Sequence, residues 1–298
     1  MEEAAIYTEG LTRRYGARRG IEDVNLRVPR GSLYGFLGPN GAGKTTTIRV
    51  LLGLMRPTAG AARVLGLDAW KHSREVKSQL GYIPGDLRLY PWLNGRMAVS
   101  LFGSIRGIDM SAKARELAEM FELDLGVKVR RMSRGMRQKL GLVLSLAPEP
   151  RLLILDEPTS ALDPLMQDRL QDYLQQVAAG GTTVFFSSHT LGEVERLCER
   201  VAIVREGRIV ADDTLAALKR KAGHEVEIQW RGNGGHGVDV APGLVLSSRS
   251  DVAWSGMFHG EIEVLTGWLA GKRVEDVMIR RPDLETLFRK YYVGNEAS

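Results

Sequence analysis

Residues 38–45 read Gly-Pro-Asn-Gly-Ala-Gly-Lys-Thr, and this stretch decides the predicted fold. It matches every fixed position of the pattern G-x-x-x-x-G-K-[ST]. The apolar residues before it, 33–37, predict a strand, and residues 46–54 predict a helix. Glycines let the backbone curl around an anion with its N–H groups pointing inward, and the helix N-terminus adds a favourable dipole. We therefore expect a phosphate-binding loop in which Lys44 neutralises the β- and γ-phosphates of a nucleotide and the Thr45 hydroxyl ligates Mg2+.

A second motif ends an apolar strand. Residues 152–157 read Leu-Leu-Ile-Leu-Asp-Glu, and four consecutive apolar residues suit a strand that is buried on both faces of a parallel sheet. The two carboxylates would lie at the carboxyl edge of that sheet, where ligands bind, although such a pair also occurs in surface turns. Beside a phosphate loop, the motif predicts Asp156 as a direct or indirect partner of Mg2+. It also predicts Glu157 as the residue that orients or deprotonates the attacking water. The two motifs together indicate hydrolysis of a nucleoside triphosphate.

Two further segments leave alternatives open. Ser133 and Gly135 precede a long helical run, so Ser133 can be a plain N-cap, or the pair can let a phosphate approach the helix start. His189 follows a predicted strand, 183–187, one unit beyond the acidic strand. A lone histidine is often structural, but this one is expected within reach of a γ-phosphate.

The composition is that of a folded protein, with 44% hydrophobic and 26% charged residues among 298. It excludes collagen-like and low-complexity classes. We expect no membrane span and no secretory leader, because no apolar run approaches the length of a span and residues 1–3 show no signal-peptide pattern. The single cysteine, Cys198, is expected to be a buried apolar residue in a reducing compartment. The net charge of +5 is uneven, with +8 over residues 1–221 and −3 over 222–298. The basic residues are spread out and do not form the stripe of a nucleic-acid binder, which favours a solvated surface over affinity for nucleotide phosphates or an anionic membrane face.

Alternating strand and helix patterns predict an α/β fold with a mainly parallel sheet. Its strands are predicted at 24–28, 33–37, 80–84, 152–156, 183–187 and 201–204, with 208–210 as a hairpin partner after Glu206-Gly207. Helical patterns fill an insert at about 86–150. The character changes near residue 221, so we predict a sheet domain at 1–221 and a small α+β appendage at 222–298. Residues 283–288 predict the start of an amphipathic helix.

Over about residues 5–215 the chain resembles the ATP-binding subunits of ABC transporters. The resemblance implies a P-loop NTPase fold and two chains that dimerise head to tail, so that Ser133 and Gly135 of one chain contact the γ-phosphate held by the other. It also implies that Asp163 is in the dimer-contact loop, that His189 is the switch histidine and that Tyr15 stacks on adenine. The implied nucleotide-binding residues are Tyr15, Gly38, Pro39, Asn40, Gly41, Ala42, Gly43, Lys44, Thr45, Thr46, Ser133, Gly135 and Asp163. The implied catalytic residues are Glu157, His189 and Lys44, and the implied metal ligands are Thr45 and Asp156.

Two departures from the family pattern stand out. The signature frame reads Met-Ser-Arg-Gly-Met at 132–136, a variant similar to that of the daunorubicin-resistance and sodium-extrusion exporter ATPases. After Pro84, where the family commonly has a glutamine that touches Mg2+, the chain has Gly85 and Asp86. Either Asp86 substitutes for that glutamine, or water fills the position. The apolar residues 89–93 that follow are expected either in the core or in a groove for a helix of a membrane subunit.

The resemblance therefore implies an ATPase subunit of a bacterial exporter, with ATP and Mg2+ as cofactors. Its implied partners are a second copy of the chain and a separate multi-spanning permease at the cytoplasmic face of the membrane, with no nucleic acid. A soluble ATPase of the same family that acts on ribosomes or nucleic acid is the alternative. A non-hydrolysing regulatory nucleotide-binding module is a second rival.

Overall fold

The structure is a computed structural model that describes residues 4–16, 18–221 and 223–281. The chain divides into two compact units, Met1–Asp213 and Thr214–Ser298. The helix Leu215–Lys221 lies within the predicted sheet domain, 1–221, but belongs to the second compact unit. The division into domains at residue 221 stays a prediction.

The first unit alternates strands and helices along most of its length. Its strands are β1 (Ala4–Tyr15), β2 (Arg18–Pro29), β3 (Leu33–Leu37), β4 (Ala59–Val64), β5 (Leu67–Asp68), β6 (Leu80–Ile83), β7 (Leu152–Asp156), β8 (Thr183–Ser188), β9 (Arg200–Arg205) and β10 (Arg208–Thr214). Its helices are α1 (Lys44–Leu51), α2 (Ser73–Gln79), α3 (Gly95–Arg106), α4 (Ser111–Met120), α5 (Arg134–Leu146), α6 (Pro164–Ala179) and α7 (Leu191–Leu197), with a 3-10 turn at Val129–Arg131.

A six-stranded sheet positions the functional residues. Its strand order is β10-β9-β3-β8-β7-β6, and the pairs β9–β3, β3–β8, β8–β7 and β7–β6 are parallel. The central strands β7 and β8 are buried throughout, as expected for strands with helices on both faces of the sheet. β9 and β10 meet at Glu206-Gly207, whose φ values of 49° and 77° suit a two-residue hairpin turn. The predicted α/β class and mainly parallel sheet are confirmed.

A second, four-stranded sheet has the order β2-β1-β4-β5 and antiparallel pairing. The predicted strand at 24–28 lies here, in β2, whereas β1 and β4 were not predicted. One reason is that Thr8, a polar residue, occupies a core position of β1. Its hydroxyl donates to the Val24 carbonyl and accepts from the Leu26 N–H, both at 2.8 Å, so the sheet satisfies it locally.

The segment between β6 and β7 is helical, as predicted. Its helices α3, α4 and α5 pack on buried residues such as Ala98, Leu117 and Leu140. Asn94 starts α3 by accepting the Met97 N–H at 2.8 Å, and the left-handed Gly107 ends it. The insert therefore has its own amphipathic helices and well-formed ends.

The second unit is a small α+β structure, which agrees with the predicted class. It contains α8 (Leu215–Lys221), β11 (His224–Trp230), β12 (Leu244–Arg249), β13 (Ala253–Phe258), α9 (Ile262–Leu269) and β14 (Val274–Arg280). The antiparallel sheet has the order β12-β13-β11-β14, and the rings of Trp230, Trp254 and Trp268 pack against one another at 5.0–6.2 Å. The helix predicted at 283–288 lies outside the described residues.

Across the described ranges, every helix is too short or too polar to traverse a lipid bilayer.

Candidate nucleotide site

The phosphate loop connects the end of β3 to the start of α1. Gly41 and Gly43 have φ values of 81° and 108°, a region of backbone conformation that residues with a side chain rarely adopt. A Cβ at Gly43 would also come within 2.8 Å of the Ile21 side chain, so glycine is required there by space as well as by backbone angle. The loop thus positions α1 so that its N-terminal N–H groups face the cavity beside Lys44.

Lys44 is the first residue of α1, directly after the loop glycines, and is only 5% exposed. Its Nζ donates to the carbonyl oxygens of Gly38 at 2.6 Å and Pro39 at 3.2 Å. The same Nζ is 3.3 Å from Glu157 Oε1, and His189 Nδ1 is also 3.3 Å from that oxygen. The structure therefore brings the three predicted catalytic residues together around one carboxylate oxygen.

Asp156 connects three elements through a buried hydrogen-bond network. The carboxylate is 2% exposed; Oδ2 accepts the Thr45 hydroxyl at 2.9 Å and Oδ1 accepts the Ser187 hydroxyl at 2.6 Å. Burial, and secondly the charge of Asp156, raise the pKa of the neighbouring Tyr82 to about 12. Tyr82 is therefore protonated at neutral pH and adds no negative charge to the network. The two predicted metal ligands, Thr45 and Asp156, are in direct contact.

Glu157 adopts a left-handed backbone conformation, with φ of 51°. Such a conformation costs free energy in a residue other than glycine and persists only where its surroundings enforce it. The Glu157 N–H donates to the Ser187 carbonyl at 3.1 Å, and the Glu157 carbonyl accepts the Ser160 N–H at 3.3 Å. This turn directs the Glu157 side chain back toward Lys44.

A cavity of about 270 Å³ opens beside these residues. It is lined by Tyr15, Gly20, Pro39, Asn40, Gly41, Gly43, Lys44, Thr45, Thr46 and Glu157. Its loop N–H groups and ammonium suit phosphate, while the Thr45 hydroxyl and the Asp156 carboxylate are the hard oxygen donors that Mg2+ prefers. Among the residues placed by the structure there is no cluster of three or more His, Cys, Asp or Glu able to hold a metal. A magnesium nucleotide needs only one or two protein ligands, since the phosphates supply others, so the donor set fits the group.

Tyr15 lies at the edge of this cavity. Its hydroxyl is 3.5 Å from the Thr46 hydroxyl and 3.1 Å from the Met55 sulfur, and the Arg13 guanidinium lies 5.4 Å from its ring centre. The residue is 40% exposed, so part of its side chain is accessible to a planar group. This placement is compatible with the implied stacking on adenine.

Ser133, Gly135 and Asp163 do not line the cavity. Ser133 and Asp163 are both N-caps: Ser133 accepts the Met136 N–H at 3.1 Å, and Asp163 accepts the Met166 N–H at 3.0 Å. All three lie close to the start of α5 or α6, and a Cβ at Gly135 would be 2.8 Å from the Ala161 carbonyl oxygen. The plain N-cap that the sequence allowed at Ser133 is present.

Gly85 and Asp86 differ in their surroundings. A Cβ at Gly85 would lie 3.9 Å from Asp156 Oδ2, so this position faces the carboxylate. The Asp86 side chain is 77% exposed and pairs with Arg88 at 2.9 Å.

Sequence reasoning missed two residues of this region. Ser187 bonds to Asp156, and Glu193 accepts the hydroxyls of Ser188 and Thr159 at 2.6 and 2.8 Å. The available signal was the pair of serines that directly precedes His189, because small hydroxyl residues at the carboxyl end of a buried strand have few uses in packing.

Comparisons with known proteins identify the family of the chain. A family model described as ABC transporter matches residues 21–160. The daunorubicin resistance ATP-binding protein DrrA3 of Streptomyces coeruleorubidus is 37% identical over 303 residues, which cover 97% of this chain and 96% of that protein. The chain belongs to the ATP-binding proteins of ABC transporters. Its resemblance to this family, stated from the motifs, is confirmed.

Solved structures of ABC transporter ATP-binding proteins share the fold. A structure described as the ATP-binding subunit of an ABC transporter is 32% identical, with a TM-score of 0.69, and the match covers 73% of this chain and 92% of that one. A bacterial ABC transporter cassette described as dimeric is 23% identical, with a TM-score of 0.63 and coverage of 70% and 98%. The P-loop NTPase fold is therefore confirmed, and the chain is the ATP-binding subunit of an ABC transporter.

Proposed function

We propose that this chain hydrolyses ATP with Mg2+ to drive export through a separate membrane-spanning subunit. It works as a head-to-tail homodimer at the cytoplasmic face of the membrane. The observation that carries the proposal is the meeting of Lys44, Glu157 and His189 beside the phosphate loop, with 3.3 Å from Glu157 Oε1 to each of the two nitrogens.

Lys44 and the loop N–H groups hold the triphosphate. The ammonium is nearly buried, so its attraction for phosphate oxygens is weakly screened by water. Lys44 exchanges its contact with Glu157 for the β- and γ-phosphates, where charge develops as the bond to the γ-phosphorus breaks. Thr45 and Asp156 would hold Mg2+, which would neutralise further phosphate charge.

Glu157 then orients the attacking water and accepts its proton. Its carboxylate stays close to the loop because the turn after β7 is fixed by the backbone bonds to Ser187 and Ser160. His189, whose Nδ1 is also 3.3 Å from Glu157 Oε1, stabilises the transferred phosphoryl group.

The hydrolysis step is tested with Glu157→Gln in the full chain. Glutamine keeps the size of the side chain but removes the base, so the turnover number falls about 10²–10⁴-fold while ATP still binds. The matched control is Glu199→Gln at an exposed glutamate beyond the end of α7. If Glu157→Gln hydrolyses ATP at nearly the rate of the control, the assigned role is wrong.

The homodimer is supported by the placement of Ser133, Gly135 and Asp163 outside the cavity that their own phosphate loop lines. In a head-to-tail pair, the start of α5 can complete the site of the other copy. Light scattering of Glu157→Gln with ATP should show a dimer, and adding Ser133→Arg should return it to a monomer. A monomer in the first case, or a dimer in the second, contradicts this arrangement.

The membrane partner is supported by an exposed apolar surface on the insert. Tyr90 and Trp92 are 66% and 58% exposed, and their ring centres are 6.0 Å apart. These two side chains are therefore not part of the core, which was one of the two expectations for residues 89–93, whereas Leu93 is buried. A nearby groove of about 250 Å³ includes Leu54, Leu87, Leu89 and Phe102 among its lining residues. We infer that a short helix of the membrane subunit docks on this surface.

Export, rather than import, is supported by the resistance function in the name of DrrA3.

Docking is tested by Trp92→Glu, with Trp70→Glu as control, because Trp70 is also exposed but lies between β5 and α2. A tagged chain purified in detergent should retain a multi-spanning protein in the control and lose it in Trp92→Glu. Equal retention contradicts the docking site. Salt-sensitive binding of RNA or DNA in place of a membrane protein favours the soluble alternative.

A further inference from the structure

Glu193 joins the two loops that carry the carboxylate and the histidine of the site. It lies in the first turn of α7, and both of its carboxylate oxygens are used. Oε1 accepts the Thr159 hydroxyl at 2.8 Å, and Oε2 accepts the Ser188 hydroxyl at 2.6 Å. One side chain therefore bonds to the loop after β7 and to the end of β8.

Both partners are next to the proposed catalytic residues. Thr159 follows Glu157 by two positions and is 2% exposed, whereas Ser188 directly precedes His189 and is 1% exposed. At that burial, water cannot take over a lost hydrogen bond. The Ser188 oxygen also accepts the Thr190 N–H at 2.9 Å, so the chain is held on each side of His189.

The distance between Glu157 and His189 depends on these two loops. Glu157 has a strained, left-handed backbone, and His189 is in an exposed loop. Among the described residues, the imidazole of His189 has one polar side-chain contact, the 3.3 Å approach of its Nδ1 to Glu157 Oε1. A strained turn and an exposed loop keep one arrangement only when neighbouring groups enforce it. Glu193 supplies charge-assisted bonds to both, and such bonds are the stronger kind.

We propose that Glu193 is a positioning residue for ATP hydrolysis, which holds Glu157 and His189 in register and does not touch the nucleotide. The inference depends on the proposed hydrolysis at this site. It gives Glu193 an effect on the chemical step and little effect on ATP affinity, because Glu193 does not line the nucleotide cavity.

The test compares Glu193→Ala and Thr159→Val with the wild type, Thr159→Ser and Glu199→Ala. Valine has the shape of threonine without its hydroxyl, whereas serine keeps the hydroxyl. We expect Glu193→Ala to lower the turnover number about 10- to 100-fold, as for a small misplacement of reacting groups. We expect Thr159→Val to lower it less, and Thr159→Ser and Glu199→Ala to stay close to wild type. The dissociation constant for ATP should differ from that of the wild type by less than about 2-fold in all four variants, because none of the three positions lines the cavity.

Hydrogen exchange gives a second readout that needs no hydrolysis. Backbone amides of residues 157–162 and 187–190 should exchange faster in Glu193→Ala, with amides of β6 and α1 unchanged. An unchanged turnover number in Glu193→Ala overturns the proposal, and so does a loss of ATP affinity that matches the loss of rate. If Glu193→Ala fails to fold, equal turnover by Thr159→Val and Thr159→Ser overturns it. A wild-type chain without ATPase activity instead refutes the proposed hydrolysis, and the positioning role with it.

Discussion

Ser187 offers a direct test of the buried network behind the phosphate loop. Its hydroxyl donates to Asp156 Oδ1 at 2.6 Å, and both residues are almost inaccessible to water, at 0% and 2% exposure. Ser187→Ala removes this bond without opening a cavity larger than one oxygen atom. A hydrogen bond to a charged group contributes about 1.5–3 kcal/mol to stability. In the variant the carboxylate would stay buried, with Thr45 as its remaining side-chain hydrogen-bond partner among the described residues. We expect the free energy of unfolding to fall by about 2 kcal/mol.

The matched control is Ser145→Ala. Ser145 is 4% exposed, and its hydroxyl donates to the Leu142 carbonyl at 3.0 Å, a neutral acceptor. This bond contributes about 1 kcal/mol. In a unit of this size, each kcal/mol moves the thermal midpoint by about 2–4 °C. Ser187→Ala should therefore lower the midpoint by about 4–8 °C and Ser145→Ala by about 2–4 °C.

Differential scanning calorimetry of the full chain measures both shifts in one buffer without nucleotide. Circular dichroism at low temperature checks that each variant keeps its secondary structure. If Ser187→Ala lowers the thermal midpoint no more than Ser145→Ala does, the charge of Asp156 does not strengthen the bond to Ser187. The buried network then does not stabilise the phosphate loop.

Three further predictions concern single residues. Tyr15→Ala should weaken ATP binding about 2- to 10-fold while Tyr15→Phe retains it, because the ring face contributes the contact; equal affinities in a fluorescence titration would contradict the stacking. Gly43→Ala should abolish measurable nucleotide binding and lower the thermal midpoint, since φ of 108° and a 2.8 Å approach to Ile21 exclude a side chain; binding by isothermal calorimetry at wild-type strength would show that the loop can adjust. Cys198 should resist a thiol-specific reagent at pH 8 until the protein unfolds, because burial raises the pKa of its thiol and the reactive thiolate is scarce below that pKa; rapid labelling of the native chain would contradict its burial.

Much of the candidate site is encoded in contiguous stretches of the chain. Residues 38–45 and 152–157 could be recognised because a phosphate loop and an acidic strand end each depend on local backbone geometry and on neighbouring residues. For the same reason, the hairpin at Glu206-Gly207 and the N-cap at Ser133 are visible from the sequence. These are short-range consequences of residue type.

The second sheet and the supporting contacts are not local. β1 has a polar residue, Thr8, at a core position, so its pattern does not alternate cleanly, and only pairing with β2 makes that hydroxyl acceptable. Glu193 resembles an ordinary surface glutamate of an amphipathic helix until its bond to Thr159, 34 residues away in the chain, is seen beside its bond to Ser188. Gly85 likewise shows its proximity to Asp156 only in three dimensions.

The sequence by itself determined the chemistry: which residues can hold phosphate, which can hold Mg2+ and which carboxylate can act as a base. Tertiary structure decided that these residues meet. β8 lies between β3 and β7, and the three strands are parallel. Asp156 is paired with Ser187 and Leu37 with Ser188, so three strand ends that are far apart in the chain lie at the same level. Strand order and register follow from packing of the whole sheet, and no short segment encodes them. That packing brings Lys44, Glu157 and His189 to one point.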